Sequence, residues 1–65
     1  MEIKAFEEIV LTKDLPSGSF LKGTTGVVAD VLLEGKGFAI ELFAANGQTL
    51  GIEIVEASSV AASSH

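Results

Sequence analysis

Three acidic side chains, Asp30, Glu41 and Glu53, stand at alternating positions of three neighbouring apolar segments, where a folded sheet would gather them on one surface. Gathered carboxylates can bind a hard cation such as calcium or magnesium, or receive lysine or arginine from a partner. The bland alternative is a solvated face with mild like-charge repulsion. Calcium takes roughly six to eight oxygens from a convergent loop, more than a flat sheet supplies, so no metal ligand is assigned. Other chemistry has little to work with. Ser17 and Ser19 have no internal histidine to act as base, and cysteine, arginine and tyrosine are missing from the chain. Glu7 and Glu8 are adjacent, so on a strand they point to opposite faces and cannot work as a pair. Lys22-Gly23-Thr24 reverses the Gly-Lys-Ser/Thr order of a phosphate-binding loop, and no helix follows it. No catalytic residue and no cofactor is expected, and the chain does not read as an enzyme.

The elements that would position these side chains are strands. Phe6 to Thr12 is the first apolar stretch, stopped by the turn residues Asp14 to Ser19. A helix from Ile3 to Leu11 is the competing reading, because Phe6 and Val10 are four apart. Leu15, Phe20 and Leu21 are expected to drop from the following loop onto the core. Val27 to Leu33 then runs with Val27, Ala29, Val31 and Leu33 on one face. Phe38, Ile40 and Leu42 share a face of the next segment, and Leu50, Ile52 and Ile54 of the one after. Period two over three segments separated by glycine turns is the signature of half-buried strands.

Directly opposed residues of an antiparallel pair lie on the same face, so turn length can be checked against burial. A two-residue Gly35-Lys36 turn, of type II′, sets Leu33 opposite Phe38, Val31 opposite Ile40 and Ala29 opposite Leu42. A two-residue Asn46-Gly47 loop would set Ile40 against Glu53. A three-residue loop over Ala45, Asn46 and Gly47 instead sets Phe38 against Ile54, Ile40 against Ile52 and Leu42 against Leu50, with Gly47 left-handed. The second arrangement pairs core with core throughout and is the one expected. A short turn over Glu56 to Ser59 leads into a last short strand around Val60. The expected fold is all-β: a small five-stranded barrel with a long loop after the first strand and a short turn before the last. It occupies residues 1–62 as a single domain, and 63–65 form a flexible tail.

Composition limits the partners. The 65 residues leave room for one domain and a small core. Without cysteine, neither disulfides nor thiolate zinc sites can help, which leaves packing and self-association. The only histidine is His65, read as a frayed end or the start of a purification tag rather than a ligand. Apolar residues make up 48% of the chain, against disorder, yet no apolar run has the length of a membrane span. The start Met1-Glu2-Ile3-Lys4 does not read as a signal peptide, so the cytoplasm is the expected location. Nine acids against four scattered lysines give a net charge of −5, which argues against nucleic acid and anionic lipid as partners. A basic or neutral protein, or a second copy in a homo-oligomer, fits better.

Ile9-Val10-Leu11-Thr12-Lys13-Asp14-Leu15-Pro16, Leu21-Lys22-Gly23-Thr24-Thr25-Gly26-Val27-Val28, Gly37 to Phe43 and Gly47-Gln48-Thr49 together resemble the small bacterial family of unknown function DUF 4926. The similarity spans about residues 6–60. It implies an SH3-like barrel and no particular activity, and it carries no functional residues with it. Gly23 to Val31 is also similar, more loosely, to KOW-type segments, which implies a nucleic-acid or ribosome-associated binder as the alternative function.

The first reading is a non-enzymatic protein-interaction or self-associating module, accessory, antitoxin-like or immunity-like by analogy only. Its expected contact surface is the outer face of the three-stranded part. There Val28 is expected opposite Phe43, Leu32 opposite Ala39 and Asp30 opposite Glu41, with Glu53 beside Ala39. An apolar centre rimmed by carboxylates is a plausible protein-contact surface.

Overall fold

A computed structural model describes residues 2–16, 18 and 20–63. The readings of Ser17, Ser19 and His65 lie outside the described residues, as does the tail at 64–65.

Five strands form one antiparallel sheet: β1 (Glu8–Leu11), β2 (Thr25–Leu32), β3 (Gly37–Phe43), β4 (Thr49–Glu56) and β5 (Val60–Ala62). Their spatial order is β4-β3-β2-β1-β5. A long loop separates β1 from β2, tight hairpins join β2, β3 and β4, and a 3-10 turn over Ala57–Ser59 returns the chain to β1. This connectivity is consistent with an SH3-like fold. The ladder stops at β4 and β5, which are its two edges and do not pair with each other. Ser63 N–H donates to the Glu8 carbonyl (2.9 Å) and carries the β5–β1 pairing one rung further.

The core is built on β3. Phe38, Ile40 and Leu42 are all buried, as the period-two pattern requires, and Ile9, Leu11, Leu15, Val28, Val55 and Val60 surround them. The long loop covers one side of this core. Its Leu15 is buried and Phe20 packs against the cluster, while Leu21, expected to join them, is exposed. The loop is folded onto itself by hydrogen bonds, Leu15 N–H to the Phe20 carbonyl (2.9 Å) and Lys22 N–H to Asp14 Oδ1 (2.8 Å).

Two bulges overturn the expected registers. Between β2 and β3, Val31 faces Phe38 and Asp30 faces Ala39, but Val28 then faces Ile40, so Ala29 is an extra residue. An extra residue reverses which face the side chains before it occupy. Val28 is therefore in the core and Ala29 on the surface, the opposite of the alternation read from Val27 to Leu33. The turn also differs. Leu33 carbonyl accepts from Lys36 N–H (3.1 Å), with Glu34 and Gly35 at the centre, and Leu33 itself is in the loop and exposed.

The second bulge is on β4. The three-residue loop forms as expected: Ala44 N–H donates to the Gln48 carbonyl (2.9 Å), and Gly47 has φ +88°. Phe43 then faces Thr49, but Leu42 faces Gly51 rather than Leu50. From there Ile40 faces Glu53 and Phe38 faces Val55. The expected pairs of Ile40 with Ile52 and Phe38 with Ile54 do not occur. Gly51 makes the bulge possible, since its φ of +155° suits a residue without a Cβ. Its missing side chain also leaves room on the inner face for the Phe20 ring, whose Cζ lies 3.9 Å from where a Cβ would stand. The loop side chain thus occupies space that the expected register gives to β4.

The β2–β3 turn stores strain that can be measured. Leu33, Glu34 and Gly35 have φ values of +51°, +56° and +90° in succession. A left-handed residue with a Cβ costs roughly 1–2 kcal/mol, part of which glycine returns through its freer unfolded chain. Glu34→Gly is therefore expected to stabilise the domain by about 0.5–1 kcal/mol, raising Tm by roughly 4 °C. A lower Tm in a thermal melt would contradict this conformation.

Candidate interaction surface

Asp30, Glu41 and Glu53 are not gathered on one face. Glu41 is on the outer face, where Val27 and Ile52 flank it and its Oε2 accepts from Thr49 Oγ1 (3.0 Å). Asp30 lies across from Ala39 rather than from Glu41, and its carboxylate caps the Val31 N–H (2.9 Å). Glu53 is on the other side of the sheet, across from Ile40 and half-buried. Among the described residues, no group of three or more acidic, histidine or cysteine side chains is placed to hold a metal ion.

The expected apolar centre is also redistributed. Val28 is fully buried beneath Ile40 and contributes nothing to the surface, because the Ala29 bulge turns it inward. Leu32 lies across from Gly37, not Ala39, and is half-buried. Phe43 stays on the outer face, half-buried, across from Thr25 and Thr49 rather than from Val28.

What replaces them comes from β4, which sequence reasoning had placed in the core. Leu50, Ile52 and Ile54 are 50%, 64% and 75% exposed and follow one another along the outer face of the edge strand. Ile54 lies beside Ala39 and Ile52 beside Glu41, so the row continues onto β3. Three large aliphatic side chains in line on water-facing sheet surface form a contiguous patch, unlike the isolated exposed Leu33 or Phe6. The signal for this reversal was Gly51: a glycine in the middle of an otherwise regular strand marks a bulge, and a bulge inverts the pattern.

A groove of about 440 Å³ runs along the edge of the same strand and is lined by residues of both its faces. The long loop supplies Lys13, Asp14 and Leu15, β4 supplies Glu53 from its inner face and Ile54 and Glu56 from its outer face, and Ser59 also lines it. It occupies the gap left where β4 and β5 do not meet. The loop is tied to the floor of this gap by Thr12, whose N–H and Oγ1 donate to the carbonyls of Ser59 (2.8 Å) and Ser58 (3.1 Å).

No helix among the described residues is long and apolar enough to cross a membrane. Residues 5–61 match the sequence pattern of a family described as Domain of unknown function (DUF4926). No curated protein and no solved structure matches the chain.

Proposed function

The chain belongs to the DUF4926 family, a domain of unknown function, and on its geometry we propose that it is a non-enzymatic docking module that holds another protein against the outer face and edge of β4. The observation that supports this most is the exposed row Leu50, Ile52 and Ile54. Each large aliphatic side chain taken from water to a partner contributes roughly 1.5–3 kcal/mol before association costs. A 65-residue domain with a small core gains nothing for its own stability from leaving three of them outside. Glu41 beside Ile52 and Asp30 beside Ala39 give the patch a polar, acidic border.

The test compares the wild-type chain with the double variant Ile52→Thr/Ile54→Thr. Threonine keeps the branched Cβ that suits a strand while removing the apolar surface. Both chains are expected to melt within about 0.5 kcal/mol of one another, since the side chains touch no core. Proteins retained from native-host lysate by the wild type, and identified by mass spectrometry, are expected to be lost from the variant. Retention of the same proteins by both chains would contradict the proposal. So would a wild-type chain that retains none and sediments as a monomer at high concentration.

A further inference from the structure

We infer that the open edge of β4 receives an extended segment of a different protein as a sixth strand, one whose side chains alternate between apolar residues and lysine or arginine. The inference rests on the docking role proposed above and specifies its occupant.

The phase of the β3–β4 ladder carries the first step. Ala57 N–H donates to the Lys36 carbonyl (2.9 Å), and bonded pairs recur at every second residue of an antiparallel ladder. Phe38 with Val55, Ile40 with Glu53 and Leu42 with Gly51 are then the bonded pairs. The main-chain groups of Ile52 and Ile54 point away from β3, off the open edge. Protected edges carry lysine, proline or cover from another element. Thr49–Glu56 has no lysine and no proline, and among the described residues no strand pairs with its outer side.

The side chains on either side of this edge specify the occupant. Residues paired with Ile52 and Ile54 share their face, so apolar side chains belong there. The residues between them point to the inner side, beside Glu53 and over the groove. Of the ionisable side chains lining that groove, Asp14, Glu53 and Glu56 are acidic and only Lys13 is basic. Lysine or arginine at the inward positions meets Glu53 and, across the groove, Asp14 of the loop, while Glu56 follows Ile54 on the outer face. A second copy of the chain does not: neither of its edges, Thr49–Glu56 or Val60–Ala62, contains a cation, and β4 would bring Glu53 and Glu56 against the same acids. The occupant is therefore another chain.

The experiment titrates the ¹⁵N-labelled 65-residue chain with a capped octapeptide alternating valine and lysine. The amides of Ile52 and Ile54 are expected to shift and to slow at least tenfold in hydrogen exchange. Paired antiparallel, like every other neighbour in the sheet, the peptide turns its valine N–H groups to β4, so N-methylation of the valines is expected to abolish binding, whereas N-methylation of the lysines leaves it intact. Glu53→Lys is expected to weaken binding at least tenfold with an unchanged melt. Equal binding of both methylated peptides would overturn the edge assignment. Equal or tighter binding of a valine–glutamate peptide would overturn the charge assignment. Absence of any response at Ile52 and Ile54 would overturn the inference as a whole, and the Ile52→Thr/Ile54→Thr comparison then decides the docking role separately.

Discussion

Ile40→Ala is expected to lower the free energy of unfolding by about 3–4 kcal/mol, while Ile54→Ala, the same substitution on the neighbouring strand in the same alternating pattern, is expected to cost less than about 0.5 kcal/mol. Ile40 has no solvent exposure and sits at the middle of β3, with Val28 on one flank and Glu53 on the other. Truncating it removes the transfer energy of three carbons and leaves a cavity that the surrounding strands fill only in part. Ile54 is 75% exposed, and its truncation opens no cavity. A single core in a chain of this length supplies roughly 3–5 kcal/mol, so the Ile40 variant is expected to be largely unfolded at room temperature. Urea unfolding followed by circular dichroism reads both values. Equal losses at the two positions would mean that Ile54 is a core residue.

Gly26→Ala is expected to cost about 3 kcal/mol, although it adds a single methyl group. Gly26 lies on the inner face of β2, between Ile9 of β1 and Leu42 of β3. A Cβ there would overlap the main-chain carbonyl oxygen of Glu41 and press on Leu42 Cδ2 at 3.1 Å. A side chain can rotate away from a collision, but a carbonyl inside a ladder moves only if the strand moves with it. Here that means parting β2 from β3, the pairing on which the core is assembled. Gly18, Gly23 and Gly47 give the contrast. A Cβ at any of them would meet nothing, but each has positive φ, so alanine there is limited to the backbone penalty of roughly 1 kcal/mol. A Gly26→Ala midpoint in urea within the range of Gly23→Ala would contradict the close approach of the two strands.

Much of this fold is legible in the sequence, because most of it is local. Glycine and polar turns between alternating apolar segments locate all five strands. The three-residue loop ending at Gly47 follows from parity, and the buried trio Phe38, Ile40 and Leu42 follows from period two. The hidden part is two single-residue insertions. A bulge at Ala29 or Leu50 changes no residue type and leaves the spacing of apolar side chains untouched, yet it reverses everything beyond it. Leu50-Gly51-Ile52-Glu53-Ile54 has the same pattern whether its isoleucines face inward or outward. Requiring core to meet core chose the wrong side, because the inner face was already filled by Phe20 and Leu15 from a loop far away in sequence. The contact surface inherited that error. Alternation puts Asp30, Leu32, Glu41 and Phe43 on the correct face and Val28, Glu53 and the row on β4 on the wrong one. Tertiary competition for one volume decided the register, and Gly51, a glycine inside a strand, is its local trace.

The register of β4 supports both the exposed row and the open edge, and amide hydrogen exchange along that strand tests it most directly. Gly51, Glu53 and Val55 are expected to be protected by their bonds to β3, with Ile52 and Ile54 between them exchanging at least tenfold faster. Protection of Ile52 and Ile54 with free exchange at Glu53 would place the isoleucines against Ile40 and Phe38, and would remove the docking surface along with the edge.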